Sequence, residues 1–114
     1  MLNELANDIF KHNVSAGWWE SGTHSIYVIA TKLALCHSEL SEALEGFRKN
    51  LMDDHLPSRK MAEVELADTI IRILDLAASQ GFDIDGAIAE KRAYNANRAD
   101  HKKEVRKGTF GKSI

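Results

Sequence analysis

Two acidic pairs with one spacing stand out. "CHSELSEALEGF", residues 36–47, carries Glu39 and Glu42, and "EVELADTII", residues 63–71, carries Glu65 and Asp68. Positions three apart on a helix share a face, so each pair points one way. The pairs are either solvated decoration on two charged helices or the ligands of a metal. Four carboxylates brought together repel and resist ionising unless a cation joins them. Mg²⁺ is the natural guest, because it takes oxygen ligands, keeps several waters and is shared between carboxylates and substrate phosphates. Mn²⁺ would be its substitute.

Other polar residues fall near these pairs. Lys32 lies two turns before Glu39 on nearly the same line, and Arg72 continues the stripe of Glu65 and Asp68. A further stripe holds Lys91, Tyr94, Asn95, Arg98 and Lys102. Arg98 can bind phosphate bidentately, Lys91 acts as a point charge, and Asn95 can bond phosphate or sugar oxygens. Acids, metal and basic stripe together suit attack of water on a phosphorus centre. Trp18 and Trp19 sit side by side in a connection. One reads as core or interface packing and the other as a platform for a nucleobase; the sequence does not choose between them.

Other chemistries find less support. No Glu-x-x-His motif of a helical di-iron site occurs, and His12, His24, His37, His55 and His101 form no HExxH. There is no glycine-rich loop of the Walker type. The single cysteine, Cys36, excludes an intramolecular disulfide and a Cys-based zinc site, and reads as a small buried hydrophobe.

Helices must position these residues. Strand alternation is absent and only one proline occurs. Helices are expected over residues 2–13, 25–50, 59–80 and from after Asp83 to about Asp100. Ser25 to Asn50 would make a helix about 40 Å long, with Ile26, Ile29, Leu33, Leu40, Leu44 and Phe47 at amphipathic spacing. Gly81 is a natural stop for the third helix and Asp83 an N-cap for the fourth. The third helix is apolar on two sides. Leu66, Ile70, Ile73 and Ala77 form one, and Val64, Ala67, Ile71, Leu74 and Ala78 the other. Such a helix must be covered twice, and a second copy of the chain is the simplest cover.

The 114 residues form one domain by length. With 44% hydrophobic and 28% charged residues, the composition is that of a soluble globular protein. A net charge of −2 gives no global signal for nucleic acid or membrane. Eight of the 15 basic residues nevertheless lie from Lys91 onward, which suggests a local anionic partner. The tail at about 103–114 is expected to be mobile. No signal peptide and no membrane span is expected, so the location would be cytoplasmic.

The pattern resembles the MazG-like, all-α nucleoside triphosphate pyrophosphohydrolases, in a branch found in mobile elements and phages. That family's mark is E-x-x-E, a gap, then E-x-x-D. Here Glu39-x-x-Glu42 is followed by 22 residues and Glu65-x-x-Asp68. "AGWWES", "LALCHSELSEALEGFRKN", "ELADTIIRILDLAASQGFDIDGAI" and "EKRAYNANRADHKK" extend the similarity over nearly the whole chain. The resemblance implies an all-α, four-helix bundle completed as a homodimer or homotetramer. It implies hydrolysis of a nucleoside triphosphate, often a dNTP, to the monophosphate and pyrophosphate, in nucleotide-pool housekeeping. Glu39, Glu42, Glu65 and Asp68 would bind Mg²⁺, with Glu39 the candidate for helping to deprotonate water. Lys91, Asn95 and Arg98 would contact phosphates or sugar; Trp18, Trp19 and Lys32 complete the expected substrate residues. Neither membrane nor nucleic acid is an expected partner. Many relatives carry another acid directly before the first Glu, where this chain has Ser38. Activity is expected to survive that departure, and the number of metals stays open. The rival readings are a non-catalytic helical nucleotide sensor and a nucleic-acid-binding adaptor.

Overall fold

The computed structural model describes residues 1–20 and 25–98. The fold is all-α. Helices α1 (Leu2–Ser15), α2 (Ile26–Lys49), α3 (Met61–Ser79) and α4 (Ile84–Asn97) account for it, with no strand among the described residues. The tail at about 103–114, with Lys103, Arg106, Lys107 and Lys112, lies outside the described residues, as do Lys102, His24 and His101.

Helix ends follow local chemistry. The Ser25 hydroxyl accepts a hydrogen bond from the Val28 amide at 3.3 Å and starts α2. Asn50 closes α2 in the left-handed conformation, at φ 49°, which asparagine tolerates better than most residues. α3 begins two residues later than the expected position 59. Lys60 is extended and forms an isolated bridge with Met52, so its backbone is already committed. α1 runs two residues beyond the expected 13. α4 stops at Asn97 rather than Asp100, because Arg98 is extended at ψ 136°. The expected cap at Asp83 is present, its carboxylate accepting from the Gly86 amide at 2.9 Å.

The chain divides into two compact units, Met1–Phe82 and Asp83–Ile114. In the first, α3 packs against both α1 and α2. α2 and α3 run antiparallel, with Gly46 beside Ala62 and Glu39 beside Arg72. Their approach at Gly46 is close: a Cβ there would stand 2.8 Å from the Ala62 backbone nitrogen and 3.1 Å from the Met61 Cβ. The centre is built mostly from small side chains. Ala6, Ala43, Ala62 and Ala77 are buried, joined by Cys36, Leu74 and Trp19. The Cys36 thiol is raised above its ordinary pKa, chiefly by burial, consistent with an inert packing role.

Large apolar side chains lie mostly outside this centre. Leu33, Leu40, Leu44 and Phe47 of α2 are exposed, and so are Leu66, Ile70 and Ile73 of α3. The two-sided pattern of the third helix is therefore only partly covered by the described residues. Among the described residues no helix is long and apolar enough to cross a membrane. In the second unit, no described residue of α4 is buried.

Replacing Gly46 by Ala tests the close approach. Alanine favours helix over glycine by about 1 kcal/mol, yet the added methyl must push the Ala62 backbone away. Overpacking costs about 1–3 kcal/mol, so the net expectation is a melting temperature lowered by a few degrees, read by circular dichroism.

Candidate functional site

Three of the four expected acids meet. Glu39 on α2 and Glu65 and Asp68 on α3 each offer a carboxylate oxygen, and these oxygens lie within 4.8 Å of one another. The close α2–α3 approach and the three-residue spacing on α3 bring this about. Glu42 is not part of the group; it is exposed on α2, one turn further along.

The acids pay for their proximity in proton affinity. Glu65 is pushed up to about 7, first because its carboxyl hydrogen-bonds that of Glu39. Burial and the negative charges of Glu39, Asp68 and Asp53 add to this. Asp68 is raised too, mainly by burial and then by Glu39, while Arg72 and His55 pull it down. Arg72 partly neutralises the group: its Nε donates to Glu39 Oε1 at 3.1 Å.

The donor set suits a hard divalent cation. Octahedral Mg²⁺ holds its oxygens at about 2.1 Å, which puts neighbouring ligand atoms roughly 3 Å apart and opposite ones roughly 4 Å apart. The carboxylate oxygens here lie within 4.8 Å of one another, so ligation would draw them closer together. Glu39, Glu65 and Asp68 are the residues that would hold it.

A cavity of about 440 Å³ opens beside the acids, with Glu39, Asp68 and Arg72 in its wall. Leu35 and Ile71 give it apolar lining. Lys32 on α2 and Asp75 on α3 line it as well, each seven residues from Glu39 and Asp68 respectively. Seven helical residues span about 10 Å, so this second cluster stands two turns from the acids. Asn13 and Trp18 complete the wall.

Gly17 sets the position of Trp18. α1 ends with Gly17 at φ 86°, and the Gly17 and Trp18 amides donate to the Val14 and Asn13 carbonyls at 3.1 and 2.9 Å. This paired closure needs a residue that tolerates positive φ, and it sets Trp18 back against the last turn of α1. The two tryptophans part company there. Trp18 is 70% exposed, whereas Trp19 is 7% exposed. The Trp19 indole N–H donates to both carboxylate oxygens of Asp75, at 2.9 and 3.0 Å. Phe10 meets its ring edge-on, with centroids 5.6 Å apart. The Lys32 ammonium sits 4.3 Å from the ring centroid of Trp19 and donates to the Trp18 carbonyl at 3.3 Å. Trp19 is thus the packing tryptophan, and Trp18 is the one with a face free for a ligand.

Lys91, Asn95 and Arg98 belong to the second unit. There the Lys91 ammonium and the Arg98 guanidinium lie over the Tyr94 ring, 4.7 and 5.8 Å from its centroid. Arg98 also donates to Asn95 Oδ1 at 3.5 Å. Because Arg98 is extended, it leaves the helical stripe the spacing implied.

Sequence reasoning missed three residues of the first unit. Asp75 continues the Glu65, Asp68 and Arg72 stripe by one turn, so its spacing could have revealed it. Asn13 had no signal until Gly17 folded the chain back. Asp53 acts through loop geometry: it is buried, and its Oδ2 accepts from the His55 and Leu56 amides at 3.0 and 2.8 Å. No family model, curated protein or solved structure matches this chain.

The raised Glu65 carboxyl predicts a pH signature. In the folded, metal-free protein Glu65 keeps its proton up to about 7, against an ordinary value of 4.5. The folded state binds that proton more tightly than the unfolded one. The resulting stability is full below about 4.5 and lost as pH rises through about 7. The melting temperature of metal-free protein should fall across this window, and Glu65→Gln should flatten the fall.

Proposed function

We propose that this chain is a Mg²⁺-dependent nucleoside triphosphate pyrophosphohydrolase of the MazG-like kind. It would act on dNTPs in nucleotide-pool housekeeping, cleaving between the α and β phosphates to give monophosphate and pyrophosphate. One observation carries the reading: three carboxylates converge, and two of them, Glu39 and Asp68, stand on the wall of a cavity that the exposed Trp18 also lines.

Bound Mg²⁺ would neutralise phosphate charge and make water more acidic. The chain's own residues do the rest. Glu39, Glu65 and Asp68 would supply the oxygen ligands, and Glu42, outside that group but on the face of Glu39 one turn along α2, would meet the metal's waters. Trp18 offers a base its flat face, a contact that tolerates any base. Asp75 fixes Trp19, and with it the neighbouring Trp18. Leu35 and Ile71 keep part of the wall dry.

The test is incubation of the protein with each dNTP and NTP, with Mg²⁺ and with EDTA, followed by product separation. Monophosphate and pyrophosphate, formed only with metal, are expected. Metal catalysis supplies several kcal/mol, so Glu39→Gln, Glu42→Gln, Glu65→Gln and Asp68→Asn should each lose about 10²-fold or more in turnover. Diphosphate plus phosphate would move the cleaved bond, and no turnover of any nucleotide would overturn the reading.

Self-association belongs to the same proposal. Leu33, Leu40, Leu44 and Phe47 are exposed on α2 at spacings of seven, four and three, which place them on one face. Burying that face against a second copy would supply the apolar contacts that the small-residue core lacks. Light scattering should show a dimer or tetramer, and Leu44→Glu with Phe47→Glu should shift the mass to monomer and lower the melting temperature.

A further inference from the structure

Arg72 has more donor capacity than its one contact uses. A guanidinium carries five N–H donors in a planar fork. Here Nε alone is engaged, at 3.1 Å from Glu39 Oε1. Neither terminal nitrogen has a hydrogen-bond partner among the described residues, and Arg72 lines the cavity. Its side chain is 39% exposed, whereas that of Glu39 is 16% exposed, so the guanidinium reaches beyond the carboxylate it holds.

We propose that Arg72 is a phosphate-binding residue, its Nε holding Glu39 while its terminal nitrogens take oxygens of a substrate phosphate. The inference rests on the triphosphate reading above and adds a named contact to it. The fork suits the task, because two parallel N–H donors match two oxygens of one phosphate. The position suits it as well. Arg72 stands one turn beyond Asp68 on the same face of α3, so a phosphate beside the acids comes within its reach. A lysine would keep the charge but lose the fork and the simultaneous hold on Glu39.

A purely structural role would be to orient Glu39, and two measurements separate the roles. The first is Mg²⁺ affinity without nucleotide, by calorimetry. The second is inhibition by inorganic tripolyphosphate at saturating Mg²⁺, a probe with phosphates and no base. Arg72→Lys should raise the tripolyphosphate inhibition constant and the KM for nucleotide by about tenfold, the usual worth of a charge-assisted contact. Its Mg²⁺ affinity should stay within about twofold of the wild type, since the charge beside Glu39 is kept. Arg72→Ala should raise the inhibition constant further, and Mg²⁺ affinity should not fall, because a competing cation has gone. Circular dichroism checks that both variants fold, and Arg72→Lys alone suffices if Arg72→Ala does not. An unchanged inhibition constant, or one that rises only as far as Mg²⁺ affinity falls, overturns the proposal and leaves Arg72 as a brace for Glu39. A wild-type protein that binds neither Mg²⁺ nor tripolyphosphate overturns the triphosphate reading, and this inference with it.

Discussion

The approach of α2 to α3 at Gly46 is the constraint from which the first unit follows. Helices touching through a glycine and alanines come closer than helices separated by leucines. That closeness puts Glu39 within reach of Glu65 and Asp68. It also leaves little room between the helices for large side chains, so leucines, isoleucines and Phe47 lie on outer faces. A core of small residues and an exposed apolar surface are two results of one packing choice.

The acids then have to be tolerated. The carboxylates around Glu65 make Glu65 harder to ionise. The chain answers in two ways: Glu65 holds its proton beside Glu39, and Arg72 bonds Glu39 from α3. Two turns away the acid is handled differently. Asp75 is buried against the indole N–H of Trp19, with the Lys32 ammonium on the ring. One carboxylate there braces the wall, while the other three stay half-buried, Glu39 and Asp68 of them on the cavity wall.

Much of this is legible in the sequence because it depends on short-range chemistry. Ser25, Asp83 and Gly81 mark helix ends through their own side chains or backbone freedom. The three-residue spacings put Glu65 beside Asp68 before any tertiary contact exists. What the sequence hides depends on contacts between elements. The start of α3 is delayed by a bridge between Met52 and Lys60 across a loop. Asp53 influences Glu65 and Asp68 only once its loop has folded around it. The choice between Trp18 and Trp19 was open because adjacent residues in a connection have no fixed faces. It closes through a hydrogen bond to Asp75, 56 positions away in sequence.

That division of the tryptophans gives the protein two optical reporters with different surroundings. An indole hydrogen-bonded to a carboxylate and packed on Phe10 emits at shorter wavelength than one open to water. Trp19 should therefore supply a blue, quencher-resistant component that tracks the integrity of the helical unit. Trp18, on the cavity wall, supplies a red component open to dissolved quenchers. Collisional quenching then reads the cavity separately from the fold, with no label attached.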